Sequence, residues 1–156
     1  MTEADLSLYT VGTLTDEEAR DAVAWRYGGE YAVYNFPDWA ECAARGWSIT
    51  DAAKRENAYF SVRYAGEFLG FFHIMDRAGH VELGVGIKPE LCGQGHGYAL
   101  MALALETIRQ TRGHTPVQLS VRTFNTRAVR CYEHAGFAIT DKRYEDLGTA
   151  PGEMYI

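Results

Sequence analysis

No stretch of this 156-residue chain approaches the roughly 18 consecutive apolar residues that a membrane-spanning helix needs, so no membrane partner is expected. The first residues, Met1-Thr2-Glu3-Ala4-Asp5, are acidic and polar, which argues against a signal or transit peptide and makes the cytoplasm the expected compartment. Cysteine is scarce: Cys42, Cys92 and Cys131 are odd in number and far apart. They offer neither a C-x-x-C pair for zinc nor a disulfide framework, so no metal and reduced thiols are expected. Positive charge is also in short supply, with 15 Lys and Arg against 21 Asp and Glu and a net charge of −6. Nucleic acids are bound by clustered cations, so no nucleic-acid partner is expected, whereas a cationic acceptor such as an amine is compatible with the balance. Repeats, low-complexity tracts and Pro/Ser-rich linkers are absent, and the length suits one domain spanning residues 1–156.

What is present is ordinary globular material, 47% hydrophobic and 23% charged. Thr15 followed by Glu18 forms a capping-box signal, and the helix it opens runs through Ala19, Val23 and Trp25 to Gly28-Gly29. An aromatic segment, Tyr31 to Trp39, follows, and Thr50-Asp51 opens a short polar helix that ends before Tyr59. Ala58 to Tyr64 and Glu67 to Met75 are rich in aromatic and branched residues and read as a hairpin turning at Ala65-Gly66. His80 to Ile87 reads as a third strand, in which Gly84 and Gly86 indicate a bulge or a ligand close to the backbone. A helix from about Tyr98 to Arg112, a strand Val117 to Arg122 and a helix Ala128 to Ala135 come next. Strands Phe137 to Arg143 and Glu153 to Ile156 close the chain. This order predicts an α/β (α+β) fold: one mixed, mostly antiparallel sheet with helices on both faces.

The segment Cys92-Gly93-Gln94-Gly95-His96-Gly97-Tyr98 joins a strand to a helix. Its alternate glycines bring backbone N–H groups against a ligand, and the helix start beyond them favours an anion such as a phosphate. It is not a nucleotide P-loop, because no Lys-Ser/Thr follows, and it is not a dinucleotide loop, because Tyr98 and Leu100 stand where the last glycine would be. A flexible turn without ligand remains the plain alternative for the glycines taken alone.

About thirty residues on lies Asn125-Thr126-Arg127-Ala128-Val129-Arg130-Cys131-Tyr132-Glu133-His134-Ala135-Gly136-Phe137, an N-x-x-A-x-x-x-Y-x-x-x-G-F pattern. Together the two motifs resemble the GNAT superfamily of acetyl-CoA-dependent N-acetyltransferases over residues 80–137. The resemblance implies an enzyme that uses acetyl-CoA as cosubstrate. It implies cofactor binding by Gly93, Gln94, Gly95, His96, Gly97 and Tyr98, with strand backbone at Val85, Gly86 and Ile87 holding the pantetheine arm. Asn125 is implied to bind that arm as well, although its position also suits a helix cap. In one departure from the family loop, Cys92 stands where Arg or Gln is usual.

Acetyl transfer to an amine needs a base for the amine and an acid for the departing thiolate. The resemblance makes Tyr132 the acid, and Glu82 the candidate base, with an edge or surface glutamate as the equal alternative. Arg127 and Arg130 read either as neighbours of the CoA phosphates or as a solvated helix face. Cys131 with His134 raises an acyl-cysteine route, against which stand the divergent directions of adjacent helical side chains. Trp25, Tyr31, Tyr34, Phe36 and Trp39 form an aromatic set, of which Tyr31 and Tyr34 are the candidate substrate-binding residues. The expected activity is transfer of acetyl to the primary amine of a small molecule. A non-catalytic acyl-CoA-binding module, or action on a protein N-terminus, are the alternatives. A homodimer joined through the segment Glu153 to Ile156 is a further expectation.

Overall fold

The computed structural model describes residues 6–145 and 152–156. Thr15 opens α1 (Asp16–Ala24) with the expected reciprocal cap: each residue's backbone N–H meets the side chain of the other, Thr15 and Glu18, at 3.1 Å. A 3-10 turn over Gly29–Tyr34 and two short helices, α2 (Trp39–Ala44) and α3 (Ala52–Arg55), complete the N-terminal layer. α2 is anticipated by no sequence signal above, although Asp38 caps it through the Glu41 N–H at 2.8 Å.

The sheet begins with β1 (Tyr9–Thr13), a short half-exposed edge strand that the pattern-reading passes over. β2 (Tyr59–Tyr64) and β3 (Glu67–Arg77) form the expected hairpin. Ala65 and Gly66 both take positive φ (50° and 86°), the turn geometry that matches the twist of paired strands. β4 (His80–Ile87) runs antiparallel to β3, and β5 (Val117–Gln118) pairs with β4 in parallel. The spatial order is β1-β2-β3-β4-β5. β6 (Val121–Arg122) leaves that ladder and joins β7 (Lys142–Glu145) and β8 (Gly152–Tyr155) in the order β6-β8-β7. The mixed, mostly antiparallel sheet therefore comes as two ladders, parting at Leu119-Ser120.

Helices lie on both faces. α4 (His96–Arg112) buries Ala99, Leu100, Met101, Ala104 and Ile108 against Phe72, Ile74, Val81 and Leu83. On the opposite face, Ala19, Ala22 and Val23 of α1 join Leu14, Cys42, Ile49, Tyr59 and Phe71 in a second core.

Three expectations are corrected. β4 carries no bulge: its register with β3 is unbroken from Gly70↔Ile87 to Arg77↔His80. The glycine at 86 is required by Phe71 instead, because a Cβ there would lie 2.6 Å from Phe71 Cε1. The strand anticipated from Phe137 starts only at Lys142, since the Phe137 N–H is committed to the Tyr132 carbonyl (3.0 Å) at the end of α5 (Thr126–His134). Finally, β8 is flanked by β6 and β7, so both edges of the segment expected to pair with a second copy are taken within the chain.

Candidate active site

The site is a consequence of where the two ladders part. Pairing between β4 and β5 ends at Glu82↔Gln118, and β6 turns away to β8. The Lys88 N–H donates to the Leu69 carbonyl at 2.9 Å, which makes Gly70↔Ile87 a widely spaced pair of the antiparallel ladder. By the same alternation, the backbone groups of Val85 and Ile87 point away from β3, towards the gap. The Val81 N–H on this side already reaches Pro116 O at 2.9 Å. The gap opens into a cleft of about 680 Å³.

At one end of the cleft, a single 3-10 turn (Pro89–Leu91) leads into the glycine loop. Gly93 and Gly95 adopt φ of 77° and 85°, values that L residues with a side chain rarely take, and α4 starts directly after them. No side chain caps α4, so its first N–H groups face the loop unsatisfied, with the positive end of the helix dipole behind them. Arg127 reaches in from α5: its Nη1 would lie 3.3 Å from a Cβ on Gly93, and its guanidinium sits 5.6 Å from the Tyr31 ring centre. Gly97 faces Cys131, whose Sγ would lie 3.4 Å from a Cβ at that position. Backbone donors, a helix dipole and a cation thus converge where a pyrophosphate fits, and the open edge of β4 fits an amide-bearing arm.

α5 supplies the second wall, and the N-x-x-A-x-x-x-Y-x-x-x-G-F motif specifies both its ends. Asn125 Oδ1 accepts the Ala128 N–H at 3.2 Å, capping the start. At the other end the Gly136 N–H reaches Glu133 O and the Phe137 N–H reaches Tyr132 O, both at 3.0 Å, a Schellman closure. Phe137 then packs edge-on against the Tyr132 ring, centroids 6.4 Å apart. Tyr132 is held between its helix and the core and lines the cleft, with no hydrogen bond to its hydroxyl among the described residues. Burial, with Cys131 and Tyr34 nearby, pushes its phenol well above the usual range, so it keeps its proton.

The third wall is aromatic: Trp25, Tyr27, Tyr31, Tyr34 and Phe36 from the N-terminal layer and Phe71 from β3. Tyr34 accepts from Asn125 Nδ2 at 3.1 Å, while Tyr31 meets Phe124 edge-on at 5.7 Å. Trp39 is turned away and carries the Arg20 guanidinium 4.3 Å above its ring.

Of the residues singled out from sequence, the cleft brings together Val85, Gly86, Ile87, Gly93, Gly95, Gly97, Tyr98, Asn125, Tyr31, Tyr34 and Tyr132. It does not include three side chains. Glu82 pairs with Arg77 at 3.0 Å on the sheet beyond the cleft. Gln94 donates back to Glu90 O at 2.9 Å, and His96 Nδ1 bonds the Tyr9 hydroxyl at 2.7 Å on the far side of the loop. Two participants are missed by sequence reading, Tyr27 and Phe124, whose roles depend on contacts 60 and about 90 residues away. Arg127 and Arg130 border the cleft and are exposed on α5, so the solvated face and the cleft wall are the same surface. No group of three or more His, Cys, Asp or Glu among the described residues is arranged to hold a metal, and no helix among them is long and apolar enough to cross a membrane.

A glycine loop feeding a helix start thus lies beside a splayed strand and faces a capped helix that bears Tyr132. The acetyltransferase (GNAT) family model matches residues 16–137, and the chain belongs to that family. It is 31% identical over 138 residues to a mycothiol acetyltransferase of Thermobispora bispora, covering 79% of this chain and 45% of that one. It is 37% identical over 106 residues to the enzyme of the same name from Salinispora tropica, covering 59% and 34%. The chain thus spans less than half the length of these relatives. Among solved structures, the spermidine N-acetyltransferase of Vibrio cholerae in complex with CoA and spermine has the same fold, with a TM-score of 0.73 over 96% of this chain and 95% of that one at 21% identity.

Proposed function

We propose that the chain is an N-acetyltransferase that moves the acetyl group of acetyl-CoA directly to the primary amine of a small molecule. The observation that carries this reading is the open edge of β4 at Val85 and Ile87, running from the glycine loop to the Tyr132 hydroxyl within one cleft. In this reading the unsatisfied N–H groups at the start of α4 and the Arg127 guanidinium hold the pyrophosphate. The Val85 backbone groups and the Ile87 N–H take the pantetheine amides as an added strand would, the Ile87 carbonyl being held by the Tyr27 hydroxyl, and so orient the thioester between β4 and α5. A Val85 or Ile87 N–H aimed at the thioester oxygen steadies the charge that develops there. Tyr132, protonated by virtue of its burial, donates to the departing sulfur.

Calorimetric titration with acetyl-CoA, alongside ATP and NAD, tests the cosubstrate, and amine acetylation by the wild type and Tyr132→Phe tests the chemistry. Selective acetyl-CoA binding with turnover that collapses in Tyr132→Phe is the expected result. Binding without turnover on any amine would leave an acyl-CoA-binding module, and no binding at sub-millimolar ligand would end the acetyltransferase reading.

A further inference from the structure

The glycine loop has to present backbone N–H groups at fixed angles, yet it is built from the residues least able to hold an angle by themselves. Gly93 and Gly95 sit at φ of 77° and 85°, and α4 begins without a side-chain cap. Glycine loses more conformational freedom on ordering than any other residue, so a loop ordered only by its ligand binds that ligand weakly.

Both non-glycine side chains between Gly93 and Gly97 turn away from the cleft. Gln94 is exposed and donates back to Glu90 O at 2.9 Å, close by in the chain. His96, the first residue of α4, instead reaches the sheet: its Nδ1 bonds the hydroxyl of Tyr9, 87 positions earlier, at 2.7 Å. The His96 ring also lies against Tyr64, centroids 5.0 Å apart, and Tyr64 packs on Tyr9 at 4.9 Å. Tyr9 and Tyr64 stand directly opposite each other in the β1–β2 ladder, so the imidazole is seated on two rings whose places the sheet fixes. Burial, with Tyr64 beside it, pushes the Tyr9 phenol up, so it keeps a proton to offer the imidazole. One residue on, Gly97 abuts α5 and β4: a Cβ there would lie 3.4 Å from Cys131 Sγ and 3.7 Å from Ile87 Cδ1. The first turn of α4 therefore meets the cleft walls at Gly97 and is hydrogen-bonded to the sheet edge through His96.

We propose that Tyr9 and His96 are positioning residues for acetyl-CoA: their hydrogen bond ties the start of α4 to β1 and holds the loop N–H groups ready for the pyrophosphate. The inference rests on the acetyl-transfer reading above. Neither side chain lines the cleft, so the effect runs through the loop backbone. Ordering the loop beforehand removes a cost that binding would otherwise carry. The bond acts at the pyrophosphate end of acetyl-CoA and leaves the thioester arm along β4 untouched. A hydrogen bond of this kind is worth about twofold to tenfold in an equilibrium constant.

The test uses the full chain and two ligands, acetyl-CoA and S-acetylpantetheine, which carries the same thioester arm without the pyrophosphate and nucleotide. Calorimetric Kd values and urea midpoints are measured for the wild type, Tyr9→Phe, His96→Ala, the double variant and His96→Asn. Tyr9→Phe keeps its ring on Tyr64 and loses one hydroxyl, so the fold should stand. His96→Asn keeps an acceptor oxygen close to the place of Nδ1. The Kd for acetyl-CoA should rise about five- to tenfold in each single variant, with no further rise in the double variant. His96→Asn should return it to within about twofold of wild type, and the Kd for S-acetylpantetheine should stay within about twofold throughout. On any amine the wild type acetylates, KM for acetyl-CoA should rise by the same factor while kcat is unchanged.

An unchanged acetyl-CoA Kd in Tyr9→Phe overturns the proposal, even where His96→Ala fails to fold. Equal losses for both ligands overturn it as general damage, and losses that multiply in the double variant overturn it as two independent contacts. In each of these cases the wild type still binds acetyl-CoA. A wild type that binds none overturns the acetyl-transfer reading as well.

Discussion

The hydroxyl of Tyr27 donates to the carbonyl of Ile87 at 2.6 Å, joining a residue just past α1 to the last position on the open edge of β4. Tyr27 is itself clamped by Asn35, whose side-chain oxygen accepts the Tyr27 N–H at 2.7 Å and whose amide donates to the Tyr27 carbonyl at 3.3 Å. Through this pair the aromatic layer is registered against the strand edge to which the cofactor arm is assigned. Replacing Tyr27 by Phe leaves the Ile87 carbonyl short of a donor. Unfolding stability should drop by about 1–2 kcal/mol in urea melts, with acetyl-CoA binding weaker by about fivefold in calorimetry.

Tyr132→Phe should separate chemistry from binding. Its hydroxyl has no hydrogen-bond partner among the described residues, so its removal should leave the urea midpoint and the acetyl-CoA Kd nearly unchanged. Turnover should fall by about 10²–10⁴. Because burial raises the phenol, wild-type activity should show no loss from Tyr132 deprotonation up to pH 9.5. An equal loss in Kd and turnover would instead make the tyrosine a packing residue.

Two glycines of β4 should behave differently. A Cβ at 86 falls 2.6 Å from the ring of Phe71, which is buried and forms part of the cleft wall. Gly86→Ala should cost about 1–3 kcal/mol by overpacking and should impair acceptor KM. At 84 the nearest atoms are His73 Cβ and Met75 Cε, both 3.8 Å away, so Gly84→Ala should stay within about 1 kcal/mol of wild type.

Arg127→Ala removes the cation beside Gly93. Acetyl-CoA binding should weaken by about three- to tenfold at low salt, and the difference should shrink at 0.5 M salt as screening grows. Titrations at two ionic strengths decide it. A salt-independent loss would point to the contact with Tyr31 rather than to charge.

Glu18 couples folding to pH. Burial raises its carboxyl, but hydrogen bonds from Arg63, Ser61 and Thr15 outweigh that and leave it below the ordinary value. A depressed folded value means the stabilisation is present above the unfolded pKa of about 4.3 and is lost as pH falls below it. Urea midpoints should therefore decline from pH 5 to pH 3, and Glu18→Gln should start lower and decline less.

Much of this was legible in the order of residues. Thr15 and Glu18 announced α1, and Ala65-Gly66 announced the hairpin. The pattern from Asn125 to Phe137 spelled out a helix cap, a helix and its Schellman closure, because each of those hydrogen bonds spans only a few residues. β1 was not legible, since its alternation is short and half-exposed, and neither was α2. The loop glycines were read correctly as a turn into a helix, yet His96 and Gln94 lie in the same loop with side chains pointed elsewhere. Spacing along a loop does not determine side-chain direction. Glu82 showed the same limit: mid-strand position cannot reveal that Arg77, five residues earlier, holds its carboxylate outside the cleft.

By itself the sequence determined the helix ends, the glycine turn and, through two motifs in the right order, membership of the acetyltransferase family. Only the tertiary structure decided where the site lies and what surrounds it. The cleft exists because β6 pairs with β8 instead of continuing along β4, a choice between partners distant in sequence. The same long-range packing brings the aromatic N-terminal layer opposite Arg127 and Arg130 and buries Tyr132 so that it keeps its proton. Capping and turns are settled by neighbours in the chain, whereas burial, charge environment and the parting of strands depend on the whole folded arrangement.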